Sequence, residues 1–269
     1  MVADYSAIEA RVLAWLAGQE DILEVFKGHG KIYEHTASQI YKKPIDDITP
    51  GERFIGKTAT LALGYQGGKK AFMAMAENYP KQMAEAYVNE ALAEDIKIRW
   101  RESNSHIVKY WHHVETAAKL AVEKPNTTFI TRNVKFRVKD NFLFCRLPSS
   151  RLLAYYDPGI QEGTFGKPQV SFMGTNSVTR KWERQTTYGG KLVENITQAV
   201  ARDLMAEGML NVEQAGYEVV LSVHDELLAE CDQDFGSIDE FIKLMCASPT
   251  WAKGLPVTAD GFECKRYRK

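Results

Sequence analysis

The sequence has no Cys-x-x-Cys pair, no internal repeat and no low-complexity segment. No apolar run approaches the roughly 18–20 residues that cross a bilayer, so no membrane partner is expected. The four cysteines, Cys145, Cys231, Cys246 and Cys264, are scattered; they form neither a zinc pattern nor a disulfide framework, which points to a reducing interior. A secretory apolar region is missing from the first residues, so the expected location is cytoplasmic. Excess charge is missing too: the formal net charge is −1. Phosphate neutralisation dominates affinity for nucleic acids, so any surface for them must be a local patch. Two patches exist, Arg180-Lys181-Trp182-Glu183-Arg184 with Lys191 nearby, and the tail Lys265-Arg266-Tyr267-Arg268-Lys269. On composition alone they read as a solvated loop and a solvated terminus. What is present is ordinary for a globular chain: 269 residues, 45% hydrophobic and 26% charged, enough to bury a core.

Met1 to Tyr5 reads as the end of a strand, which needs neighbours from elsewhere. A helix follows with Ile8, Val12, Trp15 and Leu16 at helical spacing, closed by Gly18. A second helix is expected over Ile32–Tyr41. Thr49-Pro50-Gly51-Glu52 combines an N-cap threonine, a first-turn proline and a glutamate at N3, the capping-box pattern. The helix it opens runs to about Tyr65, before Gly67-Gly68. Two long helices are expected over about 70–88 and 90–122, with Trp100, Ile107, Trp111, Val114 and Ala118 as a core stripe. Residues 127–158 alternate as strands, 159–190 reads as loops with short strands, and a helix spans about 191–215. Two strands joined near His224-Asp225-Glu226, a helix near 237–247 and a strand near 256–263 complete the chain.

Arg53, Lys57, Leu61 and Tyr65 recur every four residues and so form one helix stripe. Neither cation has an acid at i+4, and both stand near the positive end of the helix. That costs a few tenths of a kcal/mol to about one until an anion arrives; a triphosphate is such an anion, and a surface helix with two snorkelling side chains is the plain alternative. Val223-His224-Asp225-Glu226 interrupts an apolar strand with carboxylates suited to Mg²⁺, although the same residues also make an ordinary polar turn. Asp4, at another strand end, could share a pair of metals with Asp225 for in-line phosphoryl displacement. His106, His112 and His113 have no metal spacing.

Taken in order, these residues resemble a known set. Asp4-Tyr5-Ser6-Ala7-Ile8-Glu9-Ala10-Arg11 resembles the D-Y-S-x-I-E-x-R motif of family A (DNA polymerase I type) DNA polymerases. Arg53 to Tyr65 resembles the family's fingers-helix motif, and Val223-His224-Asp225-Glu226 its palm motif. Glu194 to Ala199 resembles the helix bearing the family's primer-template glutamine, and the lead-in Tyr188-Gly189-Gly190-Lys191 is more like phage members.

The resemblance implies an α+β palm, an antiparallel sheet with helices, carrying a mainly helical fingers subdomain: residues 1–30 palm, 31–190 fingers with a β-rich insertion, 191–269 palm. It implies template-directed DNA synthesis from deoxynucleoside triphosphates on primer-template DNA, with two Mg²⁺ ions on Asp4, Asp225 and the Tyr5 carbonyl, and Glu226 in support. Arg53 and Lys57 would grip the β- and γ-phosphates, with Lys57 also protonating the leaving group. Tyr65 would pack at the nascent base pair, Glu9 would exclude a ribose 2′-hydroxyl, and His224 and Gln198 would touch the primer terminus and minor groove. Arg11 would support the site from the palm side among the DNA-binding residues. Leu61 stands where many relatives have an aromatic residue, Gln66 where many bacterial ones have glycine, and Tyr33 where bacterial relatives use a histidine near the triphosphate. The thumb, earlier palm strands and exonuclease would precede Asp4, so a split or truncated polymerase needing an N-terminal partner fragment is expected. A phage origin would put it in the host cytoplasm. A single-subunit RNA polymerase shares both aspartates, but Glu9 argues against it. A non-catalytic DNA-binding remnant is the other alternative.

Overall fold

In chain order the elements of the computed structural model, which describes residues 1–163 and 166–267, are as follows. Strand β1 (Val2–Tyr5) leads into helices α1 (Ile8–Ala17), α2 (Glu20–Lys27), α3 (Ile32–Tyr41), α4 (Pro50–Leu63), α5 (Lys69–Glu77), α6 (Pro80–Glu85), α7 (Glu90–Ser103) and α8 (Ser105–Glu123). Strands β2 (Phe129–Thr131), β3 (Val134–Lys139), β4 (Phe142–Arg146), β5 (Leu152–Glu162), β6 (Pro168–Thr175) and β7 (Trp182–Thr187) follow. The chain closes with α9 (Gly189–Gln214), β8 (Glu218–Val223), β9 (Glu226–Glu230), α10 (Ile238–Met245) and β10 (Ala259–Phe262). Arg268 and Lys269 of the basic tail lie outside the described residues.

The neighbours that β1 requires come from the far end of the chain. An antiparallel four-stranded sheet runs β10-β1-β9-β8, with Val2 opposite both Leu228 and Phe262. Helix α9 packs against β8, α1, α8 and α10, burying Leu192, Ile196, Val200, Leu204 and Met205. The second sheet is six-stranded and sequential, β2 to β7. Its inner residues Val134, Phe136, Leu143, Cys145 and Tyr155 are buried, on the side that packs on α8. The fold is therefore α+β, with antiparallel sheets.

Three expected elements differ. The 70–88 helix breaks into α5 and α6 because Pro80, with no N–H to donate, starts a new helix. The 90–122 helix breaks at Asn104, whose side chain turns back onto the Trp100 carbonyl at 2.8 Å and is 2% exposed. Residues 159–190 are chiefly strand: β5 continues past a bulge between Tyr156 and Gly159 and pairs with β6, and the bulge hides the two-residue alternation. Helix α2 went unread, although Ile22, Leu23, Val25 and Phe26 are buried at helical spacing. Trp100 and Trp111 stack in the core, 6.1 Å apart.

Candidate active site

Register sets the floor of the site. Asp4 in β1 stands opposite Glu226 in β9, so the two share one sheet face. The Tyr5 N–H donates to the Asp225 carbonyl at 3.0 Å. His224 and Asp225 form a two-residue connection between β8 and β9, with His224 in the left-handed region at φ 55°, as tight hairpins require. Asp225 is thereby projected at the tip while Glu226 is buried, 4% exposed. The Tyr267 hydroxyl donates to Glu226 Oε1 at 2.7 Å, which raises its own pKa.

The walls come from α1 and α9. After β1 the chain reverses through Ala7, φ 51°, and places Glu9 on the first turn of α1. Arg11 fixes this reversal from beneath: its guanidinium donates to the Ser6 carbonyl at 2.6 Å, the Pro256 carbonyl at 3.2 Å and Thr258 Oγ1 at 2.7 Å, and stacks on Phe26. At 4% exposure it is a positioning residue rather than the DNA contact expected of it, because its donors already have partners inside the protein. Tyr5 likewise points inward, its hydroxyl on the Met245 carbonyl at 2.6 Å, with burial pushing its pKa up. A cleft of about 350 Å³ opens between Tyr5, Glu9, Gln198, Arg202, His224 and Asp225.

Helix α4 carries the cationic stripe. Its capping box forms as expected: Glu52 N–H donates to Thr49 Oγ1, and Glu52 accepts from the Thr49 N–H at 3.0 Å. Gly56 lets α3 cross closely; a methyl there would lie 2.1 Å from the Tyr33 carbonyl oxygen. This crossing gives Arg53 neighbours that sequence did not reveal, an ion pair with Glu34 at 2.7 Å and the Tyr33 ring at 5.4 Å. Lys57 lies over the Tyr79 ring at 5.1 Å. Tyr65, at the far end of the stripe, donates to Glu9 Oε2 at 2.8 Å, and Gln198 reaches Glu9 Oε1 at 3.4 Å. Burial, then the Glu9 charge, pushes the Tyr65 hydroxyl pKa far up, so it stays a donor. Leu61 is 44% exposed and, with Glu9 and Tyr65, lines a smaller cavity of about 70 Å³.

The sequence profile of DNA polymerase family A matches residues 1–253. The chain belongs to DNA polymerase family A. It is 44% identical to the DNA polymerase of Bacillus phage SP02, over 100% of this chain and 41% of that protein. It is 24% identical to DNA polymerase I of Caldicellulosiruptor bescii, over 85% of this chain and 22% of that one. A solved structure, the POL domain of Pol1 from M. smegmatis in complex with DNA primer-template and dNTP, matches with a TM-score of 0.57 at 19% identity, over 96% of this chain and 38% of that one. This likeness concerns the fold. The chain thus spans less than half the length of each of these relatives.

For a family A chain the placement is informative. Tyr5, Glu9, Gln198, His224 and Asp225 line one cleft beside the four-stranded sheet, with Asp4 next to Tyr5 on β1, while Arg53, Lys57 and Tyr33 lie along α4 and α3. Among the described residues no group of three or more His, Cys, Asp or Glu side chains is arranged to hold a metal. The donor set at the sheet edge is instead two carboxylates beside a strand backbone. That hard-oxygen set suits Mg²⁺, which takes one or two carboxylates and keeps its waters for substrate phosphates. Arg202, Glu34, Tyr79 and Tyr267 were missed. Arg202 was findable, being one helical turn beyond Gln198.

Proposed function

We propose that this chain is the palm (1–30 and 191–269) and fingers (31–190) of a polymerase that adds deoxynucleotides to a primer 3′-hydroxyl under template direction. The observation that supports the reading is the union of β1 with β9, in which Asp4 stands opposite Glu226 and the Tyr5 N–H meets the Asp225 carbonyl, next to a cleft lined by Glu9, Gln198 and Asp225. Asp4, Asp225 and the Tyr5 carbonyl would hold two Mg²⁺ ions, which when bound supply activation of the 3′-hydroxyl and charge neutralisation on the pyrophosphate.

The chain's own residues do the rest. Arg53 and Lys57 grip the β- and γ-phosphates from the first two turns of α4, and Lys57 delivers a proton to the leaving group. Arg53 exchanges Glu34 for phosphate as the nucleotide enters. Tyr65 and Leu61 pack against the incoming pair, while Glu9, held between Tyr65 and Gln198, occupies the space of a 2′-hydroxyl. His224 and Gln198 meet the primer terminus, Tyr33 lines the triphosphate side, and Glu226 supports the turn from beneath. Primer-template DNA and deoxynucleoside triphosphates are the partners. A further polymerase fragment is a partner proposed with them, since the chain covers 41% of the SP02 polymerase.

The test is single-nucleotide primer extension with Mg²⁺, run beside Asp225→Ala. Extension that the variant loses supports the reading. Triphosphate binding that depends on Mg²⁺ and Lys57 without extension would place the fault in the missing grip on DNA. Loss of triphosphate binding as well would favour a non-catalytic DNA-binding role.

A further inference from the structure

The six-stranded sheet has a second face, and among the described residues no helix packs on it. Alternation along β3 buries Val134 and Phe136 and turns Lys135, Arg137 and Lys139 to solvent. In β4 the same face carries Phe142, Phe144 and Arg146, which pair across the strands with Lys139, Arg137 and Lys135 respectively. The rings continue sideways as a ladder: Phe142 to Phe144 at 5.7 Å, Phe142 to Tyr156 at 5.2 Å, and Tyr156 to Trp182 at 6.4 Å. Trp182 is 60% exposed and Tyr156 41%. Among the described residues Lys135, Arg137 and Arg146 take part in no ion pair, although the chain as a whole carries a net charge of −1.

Exposed aromatic rings on a sheet lose contact with apolar surroundings, and unpaired cations beside them repel. One class of ligand answers both. Bases stack on aromatic faces while phosphates run along the cations, the arrangement by which proteins hold single-stranded nucleic acid. The sheet is also tied to a helix that walls the cleft. The β4–β5 connection is fastened to α9 by Arg151, which pairs with Asp203 at 2.5 Å and donates to the Ala199 carbonyl at 2.7 Å; Gln198 and Arg202, next along that helix, line the cleft.

We propose that the outer face of the β2–β7 sheet is a binding platform for single-stranded DNA, with bases stacked on Phe144, Phe142, Tyr156 and Trp182 and phosphates along Lys135, Arg137 and Arg146. The platform does not depend on the catalytic reading, so it is tested on the whole chain without Mg²⁺ or triphosphate. The probe is a labelled oligothymidylate of about 20 nucleotides followed by fluorescence anisotropy, beside an abasic oligomer of equal length. Trp182→Ala and Tyr156→Ala, both at exposed positions, are each expected to weaken binding about 5- to 100-fold, and to leave the weaker abasic binding unchanged. Lys135→Glu with Arg137→Glu is expected to weaken both oligomers and to flatten the salt dependence. Oligothymidylate binding indifferent to all four substitutions would overturn the platform, as would equal affinity for the abasic oligomer. A chain that binds no oligomer but captures another protein through Trp182 would overturn it too.

Discussion

The Tyr65 hydroxyl donates to Glu9 Oε2 at 2.8 Å, so the end of the cationic stripe begun on α4 is tied to the first turn of α1. Residues 56 positions apart thereby share one carboxylate, with Gln198 on its other oxygen. A hydrogen bond to a charged acceptor contributes about 1.5 kcal/mol, the low end of its range, where it is partly open to solvent. Tyr65→Phe is expected to lower unfolding stability by that amount, and Glu9→Gln by less, because a neutral amide still accepts. A double-substitution cycle measured by denaturant unfolding checks the coupling; additive effects would sink it.

Releasing Glu9 has a second consequence. Fixed between Tyr65 and Gln198, its carboxylate cannot swing from the space proposed for a ribose 2′-hydroxyl. Glu9→Ala is expected to raise ribonucleotide incorporation relative to deoxynucleotide by about 10- to 200-fold, the range for a pocket that gains or loses one small group. Competitive single-nucleotide extension with paired ribo- and deoxynucleotides reads the ratio, and an unchanged ratio counts against the role given to Glu9.

Gly190 opens α9 against the end of α4. A methyl group there would lie 2.3 Å from the Tyr65 carbonyl oxygen and 2.4 Å from Gln66 Cβ, and the backbone cannot yield as a side-chain tip would. The Gly190 N–H also donates to Gln66 Oε1 at 2.8 Å. Gly190→Ala is expected to cost about 1–3 kcal/mol by overpacking, seen as a thermal midpoint lower by about 3–10 °C. Gly68→Ala, where nothing lies within 4 Å, serves as the control.

What sequence revealed followed from how local the governing chemistry is. The Thr49–Glu52 capping box is complete within four residues, and the α4 stripe within four turns, so both were legible. Asp4 and Asp225 were singled out as strand-end acids and by motif, but spacing alone does not tell that β9 lies beside β1. The Glu34–Arg53 ion pair depends on a helix crossing permitted by Gly56, and the Tyr267–Glu226 bond spans 41 positions; neither has a local signature. Asn104 reads as an ordinary helix residue until its side chain is seen to take the Trp100 carbonyl. The aromatic ladder was hidden because its rings come from β4, β5 and β7, and no local pattern tells how those strands line up.

Asp21 is the clearest source of pH dependence. Burial raises its pKa, but the His35 imidazole 3.8 Å away and hydrogen bonds from Gln19, Gln39 and the Ile22 N–H outweigh this and hold it well below the ordinary value. Gln19 donates at 2.7 Å and Gln39 at 3.0 Å, joining α2 to α3. A carboxyl with a depressed folded pKa contributes stability above its unfolded value, and loses it as pH falls toward the folded one. The difference in thermal midpoint between the wild type and Asp21→Asn is therefore expected to be constant above about pH 5 and to shrink below about pH 4. Circular dichroism melts across that range measure it; a gap that widens with acid would reverse the assignment.

Glu34 pairs with Arg53 at 2.7 Å, and under the proposed function an incoming phosphate displaces it. Burial pushes the Glu34 carboxyl pKa up, but the hydrogen bond from Arg53 outweighs it and brings it below the usual range, so the pair is charged at neutral pH and competes with an incoming anion. Exposed ion pairs contribute about 0.2–1 kcal/mol, and Arg53 is 48% exposed in its side chain. Glu34→Gln removes the charge while keeping the shape, so triphosphate is expected to bind about two- to fivefold tighter, most visibly at low salt. Titration calorimetry with a deoxynucleoside triphosphate and Mg²⁺ reads this directly. Unchanged affinity in Glu34→Gln, with affinity lost in Arg53→Ala, would mean that Arg53 meets the triphosphate without first leaving Glu34, and the exchange step would fall while the phosphate grip stood.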